Sequence, residues 1–257
     1  MEIYDGIEFE KNISDVTHTN IFFFPGDFFR ISSYALFKKN LLESKLNYFC
    51  FKNDFSVSEE VFVTKIIQIM DFLQIQNNLR GKNIVIGHSR GAHIAILISQ
   101  KLKNRVGYIL INPLIRIEGI KEKRDIRLVV ECCVSILLKH TIKLSYSTFT
   151  KRFLDEKQSH ESKRNIYLQS YDMKFGDIFN ITILKTFEPN KYEIFCSKED
   201  RAIDYDLLLE KIRYMKKRWQ VQFSITVLKG THCNFMFEED EENRRKIINS
   251  INSMIKG

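Results

Sequence analysis

The chain has 257 residues, 44% of them hydrophobic, with only three Pro and ten Gly. That length and composition suit one sizeable core and exclude a collagenous, linker-rich or disordered chain. The net charge is +8, but the basic residues are dispersed and accompany no nucleic-acid-binding motif. A solvated charged surface is therefore the simpler reading, no nucleic-acid partner is expected, and only a weak attraction to an acidic lipid surface stays open.

The five cysteines, Cys50, Cys132, Cys133, Cys196 and Cys233, are odd in number and show no zinc-ligand spacing. The first residues, Met1 to Asp15, are acidic and polar, unlike a secretory signal. Both features point to a reducing, cytoplasmic compartment. No apolar run reaches the roughly 18 residues of a spanning helix; the longest, Leu128 to Leu138, carries Glu131.

In chain order, Asn20 to Phe24 is an apolar run stopped by Pro25-Gly26, as expected of a strand buried on both faces. A helical pattern follows Ser32-Ser33, with Tyr34, Phe37, Leu41 and Leu42 on one face. Leu46 to Phe51 reads as the next strand. Ser56-Val57-Ser58-Glu59 resembles a capping box, opening a helix that runs towards Gly81. Asn83 to Gly87 is a further buried strand, leading through His88-Ser89-Arg90-Gly91 into a third helix. Val106 to Ile111 is another strand, closed by Asn112-Pro113. This alternation predicts an α/β fold: a mostly parallel sheet with helices on both faces. From about 114 to 190 the rhythm breaks into two or more helices, read as a cap inserted into a single domain spanning 1–257. It then resumes with a strand at Tyr192 to Cys196, a helix at Asp204 to Trp219, and a strand at Phe223 to Leu228. A last helix has an acidic first turn, Glu238 to Glu242, and a stripe of Ile247, Ile248, Ile251 and Ile255.

The segment Gly87-His88-Ser89-Arg90-Gly91 matches G-x-S-x-G. In a strand–turn–helix setting this pattern lifts a serine hydroxyl above the sheet, and the glycines leave room for strand and helix to pass closely. A serine needs a base to become nucleophilic. His232 stands on the loop after the last strand and Asp200 on the loop after the preceding one, which gives the chain order Ser, Asp, His. Glu199, Asp204, Asp172 and Asp177 are alternatives for the acid. An oxyanion hole needs two backbone N–H groups. Arg90 is the expected first donor. Because Pro25 has no N–H, Asp27 is the expected second, with Phe28 as the alternative and the Asp27 side chain pointing elsewhere. His88 is expected to pack under the turn and His93 to be structural; His18, His140 and His160 show no partner pattern. The chemistry calls for no cofactor or metal.

These motifs resemble the α/β-hydrolase superfamily and, within it, the lipid droplet-associated hydrolase family. The likeness to that family lies in Phe24-Pro25-Gly26 followed by Tyr34-Ala35-Leu36-Phe37, in Gly87-His88-Ser89-Arg90-Gly91-Ala92, in Leu110-Ile111-Asn112-Pro113, and in Gly230-Thr231-His232-Cys233-Asn234-Phe235. The chain departs from the family in carrying Asp27-Phe28-Phe29 in place of a second Pro-Gly, and Ser197 where Gly or Ala is common. The resemblance implies a serine esterase or lipase acting on lipid esters such as sterol esters or acylglycerols, held peripherally on a lipid droplet or endoplasmic reticulum surface. A thioesterase, a small-ester hydrolase and a catalytically inactive binding module are the competing expectations. Nothing in the sequence sets an oligomeric state.

Overall fold

The computed structural model describes residues 1–14, 19–53, 57–76, 81–102, 106–120, 130, 133–134, 137, 141–142, 144–170, 173–174, 181–187 and 190–256. Strands are β1 Glu2–Tyr4, β2 Ile7–Asn12, β3 Asn20–Phe24, β4 Asn47–Phe51, β5 Asn83–His88, β6 Val106–Ile111, β7 Thr141–Ile142, β8 Met173–Lys174, β9 Lys191–Ser197 and β10 Gln222–Leu228. Helices, renumbered in chain order, are α1 Ala35–Glu43, α2 Glu59–Gln76, α3 Arg90–Lys101, α4 Tyr146–Phe153, α5 His160–Gln169, α6 Tyr205–Trp219 and α7 Glu241–Lys256.

Eight strands form one sheet in the order β1-β2-β4-β3-β5-β6-β9-β10. The six from β4 to β10 run parallel, and β2 joins β4 antiparallel. The inner strands β3, β4, β5 and β6 are buried almost throughout, which explains their apolar runs, whereas the edge strand β10 is half exposed. Alternation along each strand divides the core. Phe22, Phe24, Val85, Leu110 and Ile194 face α2, α3 and α6. Ile21, Phe23, Ile86, Ile111 and Phe195 face α1 and α7. The connection leaves β3 to one side for β4 and returns on its other side as β5, so a crevice opens at the carboxyl ends of β3 and β5.

The structure departs from the sequence reading in three places. First, Glu2–Tyr4 and Ile7–Asn12 form a hairpin, where only an acidic, polar start was read. Its turn is Asp5-Gly6, both at positive φ (49° and 78°), the conformation favoured in two-residue hairpins. Second, the helix expected after Ser32-Ser33 opens as a 3-10 turn, Ile31–Tyr34, before α1. Third, Glu59 does not complete a capping box. Ser56 lies outside the described residues, Ser58 Oγ accepts from Val61 N at 3.4 Å, and the Glu59 carboxylate turns inward onto Arg90.

Between β6 and β9 the described chain carries α4, α5 and the short β7–β8 pair. Ser145 and Ser159 cap the two helices, accepting from Thr148 N and Ser162 N. Phe149, Phe153 and Ile166 pack into the same core face as α1 and α7. Most of the apolar run 128–138 lies outside the described residues; Val130, Cys133, Val134 and Leu137 are helical and exposed. No helix among the described residues is long and apolar enough to cross a membrane.

Candidate active site

The β5–α3 turn presents Ser89 at φ 53° and ψ −117°. A left-handed non-glycine residue costs roughly 1–3 kcal/mol, and such strain persists only where the surroundings over-determine it. Here Ser89 N donates to Ile111 O at 2.9 Å, and Ser89 O accepts from Ala92 N at 3.1 Å and Leu114 N at 3.0 Å. A Cβ on Gly91 would overlap the carbonyls of Phe24 and Pro25, and one on Gly87 would overlap the Gly91 carbonyl and the Ala92 backbone. Both glycines of the motif are therefore demanded by close backbone packing. Gly26 is constrained in the same way, since its Cβ would lie 2.9 Å from the Ser89 Cβ.

His232 follows β10 and Asp200 follows β9, and these two strands are neighbours. Asp200 Oδ2 lies 2.8 Å from His232 Nδ1, with both side chains almost wholly buried. The other carboxylate oxygen accepts from Ala202 N (2.7 Å) and Ile203 N (3.0 Å), which fixes the carboxylate plane. A carboxylate is an acceptor, so His232 Nδ1 carries the hydrogen and Nε2 holds the lone pair. That Nε2 is buried and has no hydrogen-bond partner among the described residues. Of the competing acids, Asp204 caps α6 and accepts from Leu207 N, Glu199 is exposed on the same loop, and Asp172 and Asp177 lie outside the described residues.

The turn after β3 is held from several sides. Gly26 N donates to Tyr34 Oη at 2.9 Å, and Pro25 O accepts from Asn53 Nδ2 at 2.7 Å. With the Gly26 amide engaged and Pro25 lacking one, the next amide of this turn is that of Asp27. Its side chain turns to Arg90, with Oδ2 3.5 Å from Nη1. Arg90 opens α3, so its amide stands at the positive end of the helix dipole. The Arg90 guanidinium is fully buried, and its Nε donates to Glu59 Oε1 at 3.2 Å. The second Glu59 oxygen accepts from Thr182 N at 2.6 Å and lies 3.6 Å from His93 Nε2. Burial outweighs the nearby carboxylate and pushes the His93 imidazole down to about 4, so it is neutral at pH 7.

Asn112, Ser197 and Tyr34 hold the loops of the site together. Asn112 sits at φ 42° at the end of β6. Its Nδ2 donates to His232 O at 2.7 Å and to Asn234 Oδ1 at 3.2 Å, and its Oδ1 accepts from Ser197 N at 3.1 Å. One amide thus ties the acid loop to the base loop. Ser197 adds a second tie, its hydroxyl donating to Gly230 O. Tyr34 was read as an apolar helix position and as part of the Tyr34-Ala35-Leu36-Phe37 motif, and its hydroxyl bonds both Gly26 and His88. His88 packs beneath the turn as expected. His18 and His140 lie outside the described residues, and the His160 ring lies 5.5 Å from that of Tyr146.

The site is roofed by aromatic rings. Phe153 of α4 lies 5.4 Å from the His232 ring, and Phe29 lies 5.7 Å from Phe153 and 5.9 Å from Phe149. Phe28, at φ 65°, meets Phe153 at 5.9 Å. Ser89 retains 8% exposure and His232 none.

No protein-family model matches the sequence, and no curated protein matches it. Solved structures do match over nearly the full length. A hydrolase from Oleispira antarctica superposes with a TM-score of 0.71 at 13% identity, over 94% of either chain. A carboxylesterase of Nitrososphaera gargenis gives 0.69 at 11% identity, over 97% of this chain and 95% of that one. A monoacylglycerol lipase from Paleococcus ferrophilus gives 0.60 at 14% identity, over 96% and 99%. Identities this low speak to architecture, and with the strand order above they show that the chain has the α/β-hydrolase fold.

Proposed function

We propose that the chain is a serine hydrolase of carboxylic esters, with Ser89 as nucleophile, His232 as general base and Asp200 as the acid that orients the base. The observation carrying this reading is the buried Asp200–His232 pair at 2.8 Å, whose outward nitrogen is left without a partner among the described residues. Ser89 Oγ makes no hydrogen bond to this nitrogen in the resting structure, so the lone pair stands free to take the serine proton when the contact tightens in the substrate complex. His232 takes that proton as Ser89 attacks the ester carbonyl. The amides of Arg90 and Asp27 stabilise the oxyanion, and Asp200 stabilises the imidazolium. His232 then protonates the leaving alcohol, and water releases the acid from Ser89. The fold's likeness to esterases and lipases supports the same reaction class.

The finer reading is that the acyl group is apolar and comes from a lipid ester such as a sterol ester or acylglycerol, met at a lipid droplet or membrane surface. Phe28, Phe29, Phe149 and Phe153 support it, offering rings and no charge beside His232. The test is hydrolysis of a series of esters and thioesters of rising acyl length by wild type and Ser89→Ala. Turnover that needs Ser89 and rises with acyl length supports both levels. Turnover of short esters alone removes the lipid reading. Hydrolysis by Ser89→Ala at the wild-type rate removes the mechanism.

A further inference from the structure

The residue before the nucleophile is a fully buried histidine in contact with the base. The His88 and His232 ring centroids are 4.6 Å apart. His88 Nε2 lies 3.1 Å from the His232 carbonyl oxygen, and His88 Nδ1 lies 2.8 Å from Tyr34 Oη. Tyr34 Oη also accepts from the Gly26 amide at 2.9 Å.

These contacts fix every proton. The His232 oxygen is a carbonyl and only accepts, so His88 Nε2 carries a hydrogen and donates. The Gly26 amide only donates, so Tyr34 Oη uses a lone pair on it and turns its own hydrogen towards His88. A neutral imidazole protonated at Nε2 has its lone pair at Nδ1, ready to accept that hydrogen. The chain therefore runs in one direction: Gly26 N–H to Tyr34 Oη–H to His88 Nδ1, and His88 Nε2–H to His232 C=O. No donor meets a donor. Burial pushes the His88 imidazole well below its ordinary value, and the neighbouring His232 acts in the same direction, so the neutral form is the resting one.

We propose that Tyr34 and His88 are positioning residues for the reaction, forming a hydrogen-bond relay that locks the base loop to the oxyanion turn through the residue adjoining the nucleophile. The proposal rests on the hydrolase reading above. The relay touches neither substrate nor reacting atoms. Its ends are the Gly26 amide, one residue before the expected oxyanion donor Asp27, and the carbonyl of the base itself. The second donor to that carbonyl is Asn112 at 2.7 Å, so the peptide after His232 is gripped by one side chain from the elbow and one from β6. Gly26 keeps the span short, since a Cβ there would lie 3.0 Å from His88 Nδ1. The geometry also accounts for a histidine in the elbow: it must accept on one edge and donate on the other across the width of a ring.

Two measurements test this. In the full chain with ¹⁵N-labelled histidines, NMR reads which nitrogen of His88 bears the proton, without any need for catalysis. The expected result at neutral pH is a neutral ring protonated at Nε2. A ring protonated at Nδ1, or a charged ring, overturns the relay. Kinetics on an activated ester then compare wild type with Tyr34→Phe, His88→Leu and His88→Gln. A misplaced reacting group costs up to about a hundredfold. Tyr34→Phe should therefore lower kcat by roughly tenfold and His88→Leu by about a hundredfold, each with KM within about twofold. His88→Gln can still donate to the His232 carbonyl and should recover much of kcat. Wild-type kcat in Tyr34→Phe, which removes a single oxygen from a buried ring and is the variant least able to unfold the protein, overturns the positioning role. A fall in kcat that tracks only the folded fraction, measured by circular dichroism, also overturns it. A wild type inert towards every ester, with the expected tautomer, removes the hydrolase reading and reduces the relay to a structural brace.

Discussion

Removing the Glu59 carboxylate tests the network beneath the oxyanion turn. In wild type the carboxylate and the Arg90 guanidinium are both fully buried, 3.2 Å apart, and the second carboxylate oxygen accepts from Thr182 N at 2.6 Å. Glu59→Ala leaves a buried cation short of its partner and the amide of the exposed Thr182 without its acceptor. Breaking a buried pair on one side costs about 3–5 kcal/mol. Asp27 stays 3.5 Å from Arg90 and offsets part of the lost charge, which places the expected cost near the lower end, about 3 kcal/mol. For a chain of this size each kcal/mol moves the melting midpoint by about 2–4 °C, so a fall of roughly 6–12 °C is expected by scanning calorimetry. Glu59→Gln keeps the volume and an acceptor for Thr182 and should lose less. Replacing both partners by apolar residues of similar size, Glu59→Leu with Arg90→Met, should recover part of the midpoint, because the buried cation is gone while the mostly buried Asp27 carboxylate loses its Arg90 partner. Because the Arg90 and Asp27 amides are the proposed oxyanion donors, Glu59→Ala should also lower kcat more than it raises KM. A Glu59→Ala midpoint within about 2 °C of wild type refutes the account of this network.

Other outcomes follow from single contacts. Asp200→Asn keeps an acceptor for Ala202 N and Ile203 N but can present its amide hydrogens to His232 Nδ1 and turn the imidazole to the wrong tautomer; kcat should fall by about 10⁴ with the fold retained by circular dichroism. Gly91→Ala drives a methyl into the Phe24 and Pro25 carbonyls, and the expected result is loss of soluble, folded protein on expression. His93 is held down at about 4 in the folded chain against an ordinary value of 6.5. The unfolded chain therefore binds more protons between those values, and the His93 contribution to stability is lost as pH falls from about 6.5 towards about 4. Urea titrations of wild type and His93→Gln should show the two converging over that window, with the variant less sensitive to acid; parallel curves would contradict the assignment.

The parallel sheet was legible because strands buried on both faces must be apolar throughout: Asn20 to Phe24 and Asn83 to Gly87 admit few other readings. The proposed nucleophile, base and acid could be named from the sequence because G-x-S-x-G fixes a turn, and the loops after the last two strands then have known neighbours. The hairpin at Glu2–Asn12 was missed although Asp5-Gly6 is a strong two-residue turn signal, because alternation in Ile7-Glu8-Phe9-Glu10 was read as mere polarity. Glu59 was misread because a local rule, the capping box, ignores a buried arginine reached only after folding. Asn112 and Tyr34 stood in motifs the sequence displays, but their hydrogen bonds were not legible because their work depends on which loops the sheet brings together. Asn112 bonds residues 85 and 120 positions away along the chain, and no local pattern encodes such a pairing.

The most direct test of the central claim is labelling with a fluorophosphonate, which reacts with a serine only when a base and an oxyanion hole activate it. Folded wild type is expected to label, with mass spectrometry placing the adduct on the peptide bearing Ser89. Ser89→Ala and His232→Ala should stay unlabelled, and Asp200→Asn should label far more slowly. Folded wild type that does not label, or an adduct on a residue other than Ser89, contradicts the account.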